Sequence, residues 1–243
     1  TLKVPYESKD AYTNDAICGK VSTIENTLGS DNNGLTYDSD LYGLNRSGAL
    51  YADPQKIVGD FVIPEQFTIG GTTYNVLCTM QHIFDNNPKL TSLTIPSSIE
   101  LSIRALAPGS ANISQYISQS KSYGVSDGIL TYSGMWDVAC IQGKTGDVSI
   151  SSEIALDYAF YNCDKITSLT FEKPITLCSH AFDGCSGIEQ IEITEENRMM
   201  LTYADFAFAN CTGLKKAKIK TDKLFMGEFI NCKSLEEVTI EPY

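Results

Sequence analysis

The chain has 243 residues, 42% of them hydrophobic, and carries 30 acidic against 18 basic side chains for a formal net charge of −12. That balance speaks against a nucleic-acid or anionic-membrane partner, because binding there rests on lysine and arginine. No apolar run is long enough to span a bilayer, so no transmembrane segment is expected, and no signal peptide is visible in the sequence.

Residues 1–28 predict a short strand at Leu2–Val4, a helix capped by Ser8 and a second strand around Val21 to Ile24. The polar run Ser30 to Gly34 reads as a loop; its D-x-N start fails the calcium-loop spacing at Leu35, so no metal is expected there. From Leu35 to Ile63, Tyr, Leu and Val alternate with polar residues between Gly and Asp-Pro turns, the pattern of antiparallel strands. One rung of a repeat is clear at 84–95 and a poorer one is expected near Ile99 to Leu106. Residues 107–122 carry no repeat signal and read as a loop or a degenerate rung. The β segment then recurs: GDVSI at 146–150 matches GDFVI at 59–63, behind the hairpin sequence DGILTY.

From Glu153 to Ile240 one phrase is repeated: FYNC at 160–163, FDGC at 182–185, FANC at 208–211 and FINC at 229–232. After each cysteine, apolar residues follow at three, six and eight positions, as in Ile166, Leu169 and Phe171 or Leu235, Val238 and Ile240. The copy at 84–95 keeps this register with Asn87 in the cysteine slot. A period of this size means a solenoid, because one unit cannot bury its own apolar face and must stack on its neighbours. The final alternation is a short strand, and stacked strands form a parallel sheet. The Ala-Phe pairs at 159–160, 181–182 and 207–208 are expected in a helical turn on the opposite wall, with the phenylalanines stacked as a core spine.

The strings AFYNCDKITSLTF, AFDGCSGIEQIEI and AFANCTGLKKAKI closely resemble the BspA-type leucine-rich repeat family of bacterial surface proteins. The resemblance implies a leucine-rich-repeat solenoid of α/β-type repeats, with stacked short parallel strands and antiparallel β-hairpin lead-in segments. It also implies a secreted or cell-surface anchored bacterial protein with an adhesin-like binding role and no enzymatic activity. Residues 1–28 resemble the segment that closes arrays in this family, 35–106 a first lead-in with a short array, and 123–243 a second lead-in with the main array. A closing segment placed first, and a last strand at Ile240 with no evident cap, suggest a piece of a longer protein; an ordinary N-terminal cap is the alternative.

Chemistry is sparse. GVSDG at 124–128 matches the nucleophile-elbow pattern, but ILTY after it is a strand rather than the required helix, so a hairpin turn is expected. His82 and His180 each stand two residues before a repeat phenylalanine, a slot that Tyr158 and Phe206 also fill, so it is a packing position. The cysteines at 163, 185, 211 and 232 share one slot, for which a ladder of reduced thiols is expected rather than disulfides, while Cys18, Cys78, Cys140 and Cys178 have no common slot. The Glu195-Glu196 pair reads as solvated, and no cofactor is expected. The sequons at Asn45, Asn112 and Asn210 matter only in a glycosylating host.

The outward positions of the strands form the candidate binding surface. They are Ser168 and Thr170, Gln190 and Glu192, Lys216, Lys218 and Lys220, then Glu237 and Thr239, continued upstream by Ser92 and Thr94. With Lys215 and Lys223, the three lysines make a local basic cluster in an acidic chain. Its bland reading is cross-rung ion pairing, Glu192 with Lys218 and Lys216 with Glu237; its functional reading is docking of an acidic partner or sulfated glycan. The expected partner is a host or neighbouring-cell protein. Carbohydrate recognition and a purely architectural spacer are the alternatives.

Overall fold

A computed structural model describes residues 57–69, 72–79, 84, 87–101, 113–194, 199–203, 205–221 and 227–242, and of residues 1–56 short strand segments only. The helix expected after Ser8 lies outside the described residues, as do His82, Glu195-Glu196, Lys223, Cys18 and the sequons at 45 and 112.

In the first part of the chain, β1 (Leu2–Val4) and β2 (Ile24–Asn26) pair in parallel. The alternation expected from residue 35 onward forms antiparallel pairs: β3 (Gly29–Ser30) with β4 (Thr36–Tyr37), and β5 (Tyr42–Leu44) with β6 (Ala49–Ala52). The first front sheet starts at β7 (Gly59–Val62). The hairpin of β8 (Gln66–Ile69) and β9 (Thr72–Asn75) and the short β10 (Cys78–Thr79) lead from it to β11 (Leu90–Ile95), which lies parallel beside β7.

The next front rung is β12 (Gln115–Ser118), parallel to β11 with Ser92 opposite Gln115. Of the poorer rung expected near Ile99 to Leu106, residues 102–106 lie outside the described residues, and Glu100 bridges to Cys78 on the back of the array. Residues 115–118, read as loop or degenerate rung, supply the front strand, with Tyr116 buried and Ile117 exposed.

Three strands form an antiparallel meander: β13 (Tyr123–Ser126), β14 (Ile129–Tyr132) and β15 (Trp136–Cys140). Asp127 and Gly128 both have positive φ, 49° and 78°, as a two-residue hairpin turn matching strand twist requires. Ser126 thus sits on a β-hairpin, not at a strand-to-helix elbow. The meander joins the two cores: Tyr123, Leu130 and Val138 pack into the first, Ile129 and Cys140 into the second.

The second array then runs through alternating front and back strands. The front strands are β16 (Gly146–Ile150), β18 (Ile166–Phe171), β20 (Gln190–Ile193), β22 (Lys216–Lys220) and β23 (Glu237–Glu241). The back strands β17 (Ile154–Ala155), β19 (Ile175–Cys178) and β21 (Met199–Tyr203) continue in parallel from β15.

The third side of each rung is a turn rather than the expected helical turn, and no helix occurs among the described residues. Each turn is built from three-residue closures, Tyr161 N to Tyr158 O at 3.0 Å and Cys163 N to Phe160 O at 3.1 Å. Two positive-φ residues interrupt helical continuation: Tyr158, His180, Phe206 and Gly227 in one slot, and Asn162, Gly184, Asn210 and Asn231 in the other. Asn and Gly in the second slot are the residues that tolerate this conformation best. Backbone bonds link the turns from rung to rung, for example Phe160 N to Ala181 O and Phe182 N to Ala207 O, both at 2.8 Å.

The core is the stack these turns enforce. Phe160, Phe182 and Phe208 are fully buried, with ring centroids 4.7 and 5.5 Å apart, and Phe229 extends the stack at 6.1 Å. The seven described cysteines are free. Burial pushes the Cys185 thiol up, and a hydrogen bond to Cys232 followed by burial does the same for Cys211, away from the reactive thiolate.

Candidate functional site

The alternation of the front strands fixes what the sheet presents. In β22 the inward Ala217 and Ile219 are buried, while Lys216 is exposed and Lys218 and Lys220 half-exposed. Gln190, Lys216 and Glu237 lie opposite one another across β20, β22 and β23, as do Glu192, Lys218 and Thr239. These six form a shallow groove of about 210 Å³ along the face. Ser168 and Thr170 belong to β18, which pairs with β16 on its other side, Ser168 facing Asp147 and Thr170 facing Ser149.

The lysine cluster is not a field of free positive charge. Lys216 pairs with Glu237 at 3.4 Å, Lys218 with Glu192 at 3.5 Å and Glu241 at 3.8 Å, and Lys215 with Glu189 at 3.0 Å. Both cross-rung pairs of the bland reading are thus present.

A larger cavity, about 480 Å³, opens where β18 and β20 meet. Ser168, Gln190 and Lys216 line it together with Asp147, Glu189 and Lys215. Of these, Asp147 and Glu189 are absent from the face predicted on strand alternation. Asp147 was within reach of the sequence, since it stands in the Gly-Asp step that 146–147 shares with 59–60. Its Oδ1 accepts the hydroxyls of Ser168 at 2.6 Å and Thr167 at 3.4 Å. Asp60 repeats the arrangement in the first array, with Ser92 and Thr91 each at 2.9 Å, and these hydroxyls hold its carboxyl below the ordinary carboxylate range.

On the turn side, His180 stacks between Tyr158 and Phe206 at centroid distances of 4.7 and 5.0 Å, and its Nδ1 lies 2.7 Å from Asp183. Asp183 is buried and also accepts from Asn210 Nδ2 at 2.7 Å. The histidine is thus one step of an aromatic ladder, in a slot that Gly227 ends: a Cβ there would lie 2.5 Å from the Phe206 ring. Among the described residues, no group of three or more His, Cys, Asp or Glu side chains could hold a metal ion, and no helix is long and apolar enough to cross a membrane.

Stacked rungs with one apolar-alternating front strand apiece define a leucine-rich-repeat solenoid. The family model of the BspA-type leucine-rich repeat region matches residues 153–243 in six copies, so over that stretch the chain carries repeats similar to that family's. Among solved structures, the chain is similar to a leucine-rich repeat protein from Eubacterium ventriosum, with 19% identity and a TM-score of 0.46 over 76% of this chain. The match spans 55% of that protein's chain, little more than half its length. A leucine-rich cell surface protein from Faecalibacterium prausnitzii is similar at 13% identity and TM-score 0.41, covering 82% of this chain and 92% of that one. The pneumococcal vaccine antigen PcpA is similar at 11% identity and TM-score 0.35, covering 91% and 89%. No curated protein matches the chain significantly in sequence.

Proposed function

We propose that the chain is a binding region of a secreted or surface-anchored bacterial protein, and that the front sheet of its second array docks a protein of a host or neighbouring cell. The reading is adhesin-like and non-enzymatic. Its class rests on the BspA-type repeats at 153–243. The observation that carries the site is the cavity at the β18–β20 junction and the groove beside it, which together collect Ser168, Gln190, Glu192, Lys216, Lys218, Glu237 and Thr239 on one face. Stacked repeats present extended surfaces suited to large partners. The groove is lined by residues that hydrogen-bond and by lysines already paired with glutamates, and neither it nor the cavity has an aromatic residue in its lining for stacking a sugar ring.

The test is binding of the purified chain to immobilised extracellular-matrix proteins and to a glycan array, at low and physiological salt. Saturable binding to a protein supports the reading. Binding to glycans alone would replace it with carbohydrate recognition, and silence on both surfaces would leave an architectural spacer.

A further inference from the structure

The thiols of the second core fall into two pairs and a single. Cys140 and Cys163 lie 3.5 and 3.7 Å from one acceptor, the Ile141 carbonyl, and close enough to hydrogen-bond to each other. Cys211 and Cys232 make the same thiol–thiol contact at the far end of the array. Cys185 stands between the pairs and donates to the Phe160 carbonyl at 3.1 Å.

Backbone bonds fix the separation within the second pair. Phe208 N bonds Glu228 O at 3.1 Å and Asn210 N bonds Ile230 O at 2.8 Å, in the residues that lead into the two cysteines. Rungs bonded in this way stand about 4.8 Å apart, and a disulfide spans Cα atoms about 4.4–6.8 Å apart. The turns at Phe160 and Phe182 are bonded just as closely to the next rung, so spacing alone selects no pair. Access does. Cys140, Cys163, Cys185 and Cys211 are buried, whereas Cys232 is half-buried and within reach of a reagent in solution.

We propose that Cys211 and Cys232 are an oxidisable dithiol, closed to a cross-rung disulfide by a small-molecule disulfide such as oxidised glutathione. Cys232 is the attacking sulfur. The Cys211 thiol bonded to it holds its pKa below the ordinary thiol range, against the opposing effect of burial, while Cys211 itself is pushed up. The Cys232 thiolate attacks one sulfur of the oxidant and releases one small thiol, leaving a mixed disulfide. Cys211 then loses its proton and attacks the Cys232 sulfur, releasing the second small thiol. Two protein thiols are oxidised, and one small disulfide is reduced to two thiols that carry away the two cysteine protons.

The bond falls where the array is packed most thinly. Val238 and Ile240 of the last rung are 43% and 37% exposed, against 2% and 0% for Ala217 and Ile219 opposite them in β22. Closing the pair gives up the thiol bonds to the Phe182 and Phe208 carbonyls and in return ties this rung covalently to its neighbour. Glu237 and Thr239 of the front-face groove stand on the same rung, but the chemistry of the pair does not depend on the docking reading.

The experiment incubates the whole folded chain with oxidised glutathione at mildly alkaline pH, alkylates the remaining thiols in denaturant and maps tryptic peptides by mass spectrometry. Cleavage at Arg198, Lys215 and Lys233 places the two cysteines on separate peptides. The wild-type chain yields a Cys211–Cys232 cross-linked peptide, while Cys140, Cys163 and Cys185 are recovered as thiols. Cys211→Ser stops at a glutathione adduct on Cys232, and Cys232→Ser leaves Cys211 unmodified; serine keeps a donor for the carbonyl in each case, and thermal melts confirm the fold. The wild-type map decides by itself should either variant fail to fold. A wild-type chain without the Cys211–Cys232 peptide, or one that stops at the adduct on Cys232, would overturn the proposal. So would a Cys140–Cys163 link formed just as fast, or an adduct on Cys211 in the Cys232→Ser variant.

Discussion

The thiol of Cys185 donates to the carbonyl of Phe160, one rung back, at 3.1 Å. Cys211 does the same for Phe182 at 3.3 Å and Cys232 for Phe208 at 3.2 Å. In the first array Asn87 reaches the Ile57 carbonyl at 2.8 Å from the equivalent position. The slot that looked like one for a small inward residue is a donor slot, which is why cysteine and asparagine both occupy it. A buried acceptor left without its donor costs about 1–3 kcal/mol. Serine and alanine are close in volume, so Cys185→Ser should lie above Cys185→Ala in stability by about 1 kcal/mol in denaturant melts. Equal stability of the two variants would mean the bond contributes nothing.

The phenylalanine stack gives a graded prediction. Phe182 has a stacked ring on both sides and is fully buried, so Phe182→Ala should cost about 3–5 kcal/mol. Phe229 is only partly buried and stacks on Phe208 alone among the described rings, so its truncation should cost clearly less. Denaturant melts giving the reverse order would displace Phe182 from the core.

Asp137 makes stability depend on pH in an unusual direction. Burial pushes its carboxyl up from 3.8 to about 6, against the lowering effect of the Ser152 hydroxyl bonded to Oδ1 at 2.6 Å, and its Oδ2 is buried without a partner. The fold therefore favours the protonated acid. This contribution is fully present below about pH 4 and is lost as pH rises through about 6, a cost approaching 3 kcal/mol at neutrality. Asp137→Asn keeps an acceptor for Ser152 and removes the charge, so it should stabilise the chain at pH 7 and have little effect near pH 3.5. A variant whose effect is the same at both pH values would refute the assignment.

The front-face ion pairs should contribute little to stability. Lys216, Lys218 and their glutamate partners are all substantially exposed, and such pairs are worth about 0–1 kcal/mol each. A Lys216→Ala/Lys218→Ala double variant should melt within a few degrees of wild type at physiological salt, and a large loss would show that the pairs hold the rungs together.

Much of this architecture was legible because stacking makes one residue's environment that of its counterpart in the next rung. The phenylalanine spine, the shared cysteine slot and the packing role of His180 all follow from reading four copies against one another. The single asparagine or glycine directly before each of these cysteines likewise marks a left-handed turn. The helical turn was misread because apolar spacing around Ala159 and Phe160 does not report the positive φ of Tyr158 two residues earlier. The β12 rung was obscured because Gln115–Ser118 lacks the phrase and is placed by its pairing with β11. The break in pairing between β18 and β20 could not be read at all. Ser168 and Gln190 occupy the same repeat position, so the pattern predicts a ladder between β18 and β20 where the backbone forms none.

The most direct measurement of the central claim places one arginine on each side of the same solenoid. Thr170 lies exposed on the front face and Asp164 lies exposed on the turn side, just past Cys163. Binding of Thr170→Arg and Asp164→Arg to an immobilised matrix protein that captures the wild-type chain would be compared by surface plasmon resonance. The account predicts strong loss for Thr170→Arg and near wild-type binding for Asp164→Arg. Loss confined to Asp164→Arg, or no loss in either, would contradict it.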